Sequence, residues 1–410
     1  MEKIIRTATI PASLNTFCRD ILHELSSKYE VIALSSPGEV LDEIANREEV
    51  RTIGIPMARH ISPLKDFLSL WRLVRVFRKE SPLMVHSMTP KAGLLCMVAA
   101  WITKVPVRVH TFTGLVFPTS TGLKRRILMM TDAITCKCAT HIIPEGEGVK
   151  KDLLRYGITS RSMHVLGYGN IRGVDMDFYS RRPEVMAMAE QIRDDRRFTF
   201  LYVGRIVRDK GINELCEAFH WLTGPYPARL VIVGSYEDKL DPISDVSKKL
   251  IEDNDHIEYV GSKKGDELLA YYAAADCFVL PSYREGFPNT VLEAGAMGLP
   301  CIVTDVNGSR EIIEDGMNGL IVPSKNTQAL YDAMMKMMAD VTIRSRMASV
   351  ARKMVADRFE QGFVRKCLFD FYDEILVKMK DYQKPSHESN DRLTRVNEIR
   401  KSDDDFSGFG

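Results

Sequence analysis

With 410 residues, 45% of them apolar and 27% charged, the chain is too long for one core and too apolar to be disordered as a whole, so two domains are expected. A formal net charge of +1 excludes a global field that would recruit nucleic acid or a membrane, and any such contact needs a local patch. The eight cysteines are scattered with no paired CxxC spacing, which argues against zinc or a disulfide framework and predicts a reduced, intracellular protein.

The opening MEKIIRTATIPASL carries no apolar run of signal-peptide length, and no later stretch reaches about 18 uninterrupted apolar residues. A cytoplasmic chain without membrane spans is the expectation. From the start, strand-like KIIRTATI, helical LNTFCRDILHEL and strand-like YEVIALS alternate, followed later by LMVHS, AGLLCMVAAWI and VPVRVHTF. Near-continuous apolar strands separated by helices imply a parallel sheet covered on both faces.

Two basic stretches interrupt this series. In PLKDFLSLWRLVRVFRKE (63–80), Lys65, Arg72, Arg75, Arg78 and Lys79 interleave with Phe67, Leu70, Trp71 and Val74, and GLKRRILMM (122–130) adds a second cluster. Two readings stand for the first: a helix laid on an anionic membrane surface, or an amphipathic helix packed on the sheet.

A second α/β series runs from Phe198 through FTFLYVG, INELCEAFHWL, ARLVIVG, HIEYVG, DELLAYYAAA, DCFVLPS, TVLEAGAMG and CIVTD. The expected layout is therefore an N-terminal Rossmann-like domain over 1–170, a linker over 171–197 and a C-terminal domain over 198–360. A helix over 360–380 would pack back on the first domain, and 381–410 would be a disordered tail. Ser13 and Asn15 are expected to cap the helix after the first strand.

The chemistry gathers at YREGFPNTVLEAGAMGLP (283–300). CFVLPS reads as a strand and NTVLEAGAM as a helix closed by Gly298, so YREGFP lies at the strand's carboxyl end, where open parallel sheets bind ligands. The helix start, over Pro288, Asn289 and Thr290, offers unpartnered N–H groups and partial positive charge to a phosphate, and Gly286 lets the backbone approach it. LYVGRIVRDKG brings Arg205 and Lys210 to the same edge, two cations for a diphosphate. Glu285 and Glu293 then suit the neutral parts of such a ligand, as acceptors for paired hydroxyls of a transferred sugar and of a ribose. Two glutamates at an arbitrary spacing are usually solvated surface charges; this setting argues otherwise. Phe287 and Gly234 complete the candidate donor-binding set.

GRIVRDKG, EGFPNTVLEAGAMGLPCIVTD and DGMNGLIVP together resemble family four of the retaining glycosyltransferases, across residues 200–323. The resemblance implies the GT-B fold of two facing Rossmann-like domains, donor diphosphate held by Arg205 and Lys210, and a donor bracketed by Glu285 and Glu293. HSMTPKAGLLCMVAAWITKVPVRVHTFTGLVF (86–117) is similar to members that extend polyprenyl-diphosphate-linked saccharides in surface polysaccharide or glycan assembly. On that match His110 would line the cleft near the donor sugar, and with Glu285, Arg205 and Lys210 it makes the catalytic set.

His86 and Lys91 are candidates to face an acceptor diphosphate, with Ser13 as a further acceptor candidate. TATIPASLNTF (7–17) departs from the glycine-rich loop many members carry after the first strand, which puts contacts from that loop in doubt.

No metal or other cofactor is expected, since the D-x-D matches at 175–177, 253–255 and 403–405 lie away from the phosphate edge. GYGNIRG has the wrong spacing for a dinucleotide fingerprint. The expected partners are a nucleotide-sugar donor, with UDP the favoured nucleotide, and a saccharide or lipid-linked saccharide acceptor, with no nucleic acid; a peripheral contact with the inner face of the cell membrane goes with the first reading of 63–80. An epimerase of the same architecture and a non-catalytic nucleotide-sugar-binding protein remain as alternatives.

Overall fold

The computed structural model describes residues 1–383, apart from 59, 61, 223–226 and 238–240. The tail expected from 381 and the 403–405 acidic run therefore lie outside the described residues, save that the last helix, Gln361–Gln383, continues past 381. Contacts divide the chain into Met1–Arg365 and Lys366–Gly410.

The first unit contains two six-stranded sheets, every strand pair parallel. One comprises β1 (Lys3–Thr7), β2 (Glu30–Ser35), β3 (Arg51–Gly54), β4 (Met84–Met88), β5 (Val107–Phe112) and β6 (His141–Pro144), in the order β3-β2-β1-β4-β5-β6. The other comprises β7 (Phe198–Val203), β8 (Ala228–Val233), β9 (Ile257–Tyr259), β10 (Cys277–Leu280), β11 (Cys301–Thr304) and β12 (Gly319–Val322), ordered β12-β11-β10-β7-β8-β9. Both are doubly wound, and the strand order reverses between β1 and β4 and between β7 and β10.

The apolar runs become central strands because both faces are covered. Ile4, Ile5, Phe200, Leu201, Phe278 and Val279 are wholly buried, and each sheet organises its own core. The segment expected as a linker contains a helix, Pro183–Ile192, whose Val185 and Ala189 join the C-terminal core. Its charged residues lie on the outer side of an otherwise ordinary amphipathic helix.

The Pro63–Glu80 helix packs one side into the first domain, as the packing reading expects, and leaves apolar side chains outside. Ser69, Leu73, Phe77 and Glu80 are buried, while Leu64, Phe67, Leu68 and Trp71 are 84%, 68%, 53% and 52% exposed. Ser13 and Asn15 do not cap the first helix. It begins at Pro11 with Ile10 at the cap, because a proline's fixed φ and missing N–H suit the first helical position.

Asp132, in the Gly122–Cys138 helix, is buried, and burial pushes its carboxyl up to about 7. The folded chain therefore holds this proton more tightly than the unfolded one. The associated stability is present below the ordinary carboxylate range and is lost as pH rises through about 7. Asp132→Asn is expected to melt close to the parent at pH 4 and about 5 °C above it at pH 8. A constant difference between the two pH values would refute this.

Candidate active site

The C-terminal sheet's order reverses between β7 and β10, and the two central candidate residues come from the ends of those strands. After β7 the chain makes a short 3₁₀ turn, Arg208–Lys210, closed by Gly211 at φ 72°. A methyl group on Gly211 would lie 2.0 Å from the Pro281 carbonyl oxygen, so only glycine lets the turn abut the loop after β10. Tyr283 N–H donates to Asp209 O at 2.8 Å and Arg284 pairs with Asp209 at 2.9 Å, tying the two segments together. Lys210 Nζ consequently lies 2.5 Å from Glu285 Oε1, with both side chains largely buried.

The helix expected from 288 runs over Asn289–Ala296, with Pro288 at its N-cap and no side-chain cap. The N–H groups of Asn289 and Thr290, in the first turn, have no acceptor within the helix. Phe287 is buried, its ring edge-on to Phe359 at 5.3 Å, and fixes the loop to the core.

Other expected contacts are arranged differently. Arg205 turns outward to Glu237, at 2.8 Å, and is about half exposed, so it does not converge with Lys210 here. Gly234 marks a pinch between strand ends, since a methyl group there would meet Gly204 O at 1.8 Å.

Gly286, expected to admit a phosphate, instead admits the other domain: a methyl group on it would lie 2.4 Å from Thr113 O and 2.8 Å from Gly114 N. Gly308, at φ 71°, closes over the same loop, its missing side chain occupied by Gly286 O and the Cα of Phe287. The two domains thus meet through backbone at the candidate site.

Glu293 is not open to solvent. Its Oε1 accepts from Arg172 Nη1 at 3.0 Å and its Oε2 from the Tyr272 hydroxyl at 3.2 Å. Asn289 Oδ1 accepts from Asn170 Nδ2 at 3.0 Å. Sequence reasoning missed Arg172 and Asn170, which sit in irregular chain far from their partners. A cavity of about 490 Å³ opens beside them, lined by Arg172 and Tyr179, by Thr16 and Arg19 of the first domain, and by Lys263 and Lys264 of the second. Lys210 and Glu285 do not line it.

In the N-terminal domain His110 is a correction. It is 1% exposed, its Nδ1 is 2.8 Å from Ser87 Oγ, and it lies under Gly93, where a methyl group would be 2.3 Å from its ring. The β5 alternation turns this side chain under the Pro90–Ile102 helix rather than into the cleft, and burial pushes its pKa down to about 3.

His86 is likewise interior, bonded to Arg6 at 2.9 Å and to Thr111 at 2.7 Å; burial, Arg6 and His110 hold its pKa well below the usual value. Lys91 is paired with Asp66 at 2.5 Å. Ser13 is half-buried in the first helix.

The residues that meet the Glu285–Gly286 loop across the seam are Thr113, three positions beyond His110, and Gly114. At the reversal between β1 and β4, Thr9 Oγ1 and Thr89 Oγ1 lie 2.8 Å apart, and Thr9 Oγ1 accepts from Ala92 N–H at 3.1 Å.

A third carboxyl, Glu145, follows β6 and is 2% exposed. Burial, reinforced by Glu285 and Glu311, pushes it well above the usual carboxylate range. Glu311 in turn spans the seam, accepting from Glu147 N–H at 2.7 Å and Gly148 N–H at 3.0 Å at the start of the Glu147–Arg155 helix. Among the described residues no group of three or more His, Cys, Asp or Glu side chains could hold a metal ion.

The model of the glycosyl transferases group 1 family matches residues 187–354, and that of the glycosyl transferase 4-like domain matches 14–169. The capsular polysaccharide biosynthesis glycosyltransferase CapM of Staphylococcus aureus is 30% identical over 378 residues, covering 92% of this chain and 98% of CapM. An Escherichia coli UDP-Gal:alpha-D-GlcNAc-diphosphoundecaprenol alpha-1,3-galactosyltransferase is 25% identical over 75% of this chain and 80% of its own length. Among solved structures, Anabaena HepE in complex with UDP superposes with a TM-score of 0.75 at 15% identity, covering 91% of this chain and 100% of HepE, a likeness of fold. A near-full-length relative, and family models falling on each of the two facing sheets, place the chain in the group 1, family-four glycosyltransferases of GT-B fold.

Proposed function

We propose that the protein is a retaining glycosyltransferase that moves a sugar from a UDP-sugar to a saccharide carried on a polyprenyl diphosphate, in surface polysaccharide assembly. The observation that carries this is the Lys210–Glu285 pair at the strand-order reversal, beside the uncapped start of the Asn289–Ala296 helix. The name of the E. coli relative, with UDP-Gal as donor and a diphosphoundecaprenol-linked acceptor, supports these substrate classes, and that of CapM supports a part in polysaccharide assembly.

Breaking the anomeric bond puts negative charge on the leaving diphosphate and positive charge on the sugar. Lys210 and the Asn289 and Thr290 N–H groups would take up the former, and Glu285 would hold sugar hydroxyls on the latter's side. Arg205 joins this set if a diphosphate draws it from Glu237. Lys210 covers Glu285 in this arrangement, and no protein nucleophile is assigned. Same-face attack, with the leaving phosphate accepting the acceptor's proton, accounts for retention. The Thr113–Gly114 backbone would close the sugar's side of the seam.

The acceptor's lipid would lie along the inner face of the cell membrane, where Leu64, Phe67, Leu68 and Trp71 insert beside Lys65, Arg72 and Arg75. Arg75 already stacks on Trp71 at 4.6 Å, joining the charge to the apolar surface. Leu64→Ser, Phe67→Ser and Trp71→Ser combined are expected to weaken binding to phosphatidylglycerol vesicles by at least about tenfold without changing the melting temperature. Undiminished co-sedimentation would remove this face from the proposal.

The activity itself is tested by offering a panel of nucleotide sugars with polyprenyl-diphosphate-linked saccharides and reading the product's anomeric configuration by NMR. Transfer with retention is expected. Inversion, or isomerisation of the donor without any acceptor, would overturn the reading.

A further inference from the structure

Glu293 sits on the second turn of the Asn289–Ala296 helix with its side chain only 8% exposed. A carboxylate this far from water needs a compensating cation. It finds one in Arg172, which belongs to neither sheet but to the stretch connecting the two domains.

That arginine is itself fixed. Asn170, at φ 59°, accepts through Oδ1 from the backbone N–H groups of Arg172 at 2.9 Å and Gly173 at 2.6 Å. Through Nδ2 it donates to Asn289 Oδ1, so the connecting stretch is tied to the first residue of the helix that carries Glu293. The guanidinium also reaches the Tyr179 hydroxyl at 3.4 Å. Arg172 and Tyr179 form one wall of the 490 Å³ cavity, whose other walls come from both domains. A carboxylate accepts about four hydrogen bonds, and Arg172 and Tyr272 take one each with the Tyr179 hydroxyl beside them, so acceptor capacity remains next to the two residues, Arg172 and Tyr179, that wall the cavity.

We propose that Arg172 is a positioning residue for the donor's ribose: it compensates and orients Glu293 from the interdomain connection, so that the carboxylate's remaining acceptor sites meet the paired ribose hydroxyls. This rests on the reading that the donor is a nucleotide sugar. It assigns the connection between the domains a part in donor affinity, and makes that affinity depend on how the connection is held against the helix.

The test is calorimetric titration of UDP and of 2′-deoxyuridine 5′-diphosphate into the full chain. The parent should prefer UDP by about tenfold, the worth of one hydrogen bond to a charged acceptor. Arg172→Met should bind UDP about tenfold more weakly and lose that preference, as Glu293→Gln should. The double variant should lose no more than either alone, because the two residues act as one unit. In transfer assays Arg172→Met should raise the donor KM more than it lowers kcat.

If the methionine variant does not fold, Arg172→Lys carries the test. An ammonium cannot hold Glu293 and Tyr179 in one plane, so the preference should narrow. A folded Met or Lys variant that keeps the parent's full preference would overturn this assignment alone. A parent that binds both ligands equally would overturn the ribose contact and this assignment with it, and a parent that binds no nucleoside diphosphate would overturn the donor reading itself.

Discussion

Lys210→Ala is expected to lower turnover by about a thousandfold, the effect of removing a charged donor from the oxygen on which charge develops. The side chain is well enclosed and pairs with Glu285 at 2.5 Å, so its charge acts where water screens little. Glu285→Gln is expected to cost about a hundredfold, since an amide still meets a hydroxyl but loses the attraction for a cationic sugar. Because each residue is the other's partner, the double variant should fall well short of the product of the two losses. The checks are kcat at saturating donor and melting temperature. Loss of activity with an unchanged melt supports the assignment, and turnover at the parent's rate in Lys210→Ala would remove the residue from the site.

Gly286→Ala is the second large effect expected. Gly286 is not among the glycines at positive φ, so alanine fits its backbone without strain. The added methyl would instead strike Thr113 O at 2.4 Å and Gly114 N at 2.8 Å across the seam. The cheapest relief is for the domains to part, not for either to unfold. Transfer should therefore drop by about a hundredfold through misplacement of the reacting groups, while the melting temperature stays within about 2 °C. Scattering should show a wider molecule. A variant that is fully active, or one that is grossly unstable, would mean that the seam is not part of the working geometry.

What the amino-acid sequence revealed follows from which interactions are local. The long apolar runs, such as FTFLYVG and ARLVIVG, announce central parallel strands because both faces must be buried. β3 and β6 escaped notice because each is four residues long, β3 half exposed and β6 ending in Pro144. The loop with Glu285 was legible because glycine and proline punctuate a buried strand followed by a short, largely buried helix, a pattern that places the loop at the sheet edge.

Its partners were less so. Lys210 was placed at this edge by its position after a strand, but its direct pairing with Glu285 depends on Gly211 abutting Pro281, and Gly286 meets Thr113 only when two domains close, which leaves no trace in spacing. His110 misled for a related reason. A histidine near the end of a strand can project over the sheet's rim or under a helix, and Gly93, seventeen residues earlier in the chain, decides in favour of the helix. Arg172 carried no pattern at all, as its bond to Glu293 spans 121 positions from irregular chain.

The basic helix was ambiguous because it has two apolar faces. Leu73 and Phe77 serve the core, and Leu64, Phe67 and Trp71 stand outside it.

A crystal structure of the chain soaked with UDP tests the central claim most directly. The account predicts diphosphate oxygens within hydrogen-bond distance of Lys210 Nζ and of the Asn289 or Thr290 N–H groups. A diphosphate seated elsewhere, with the Lys210–Glu285 pair undisturbed and the helix start empty, would contradict it.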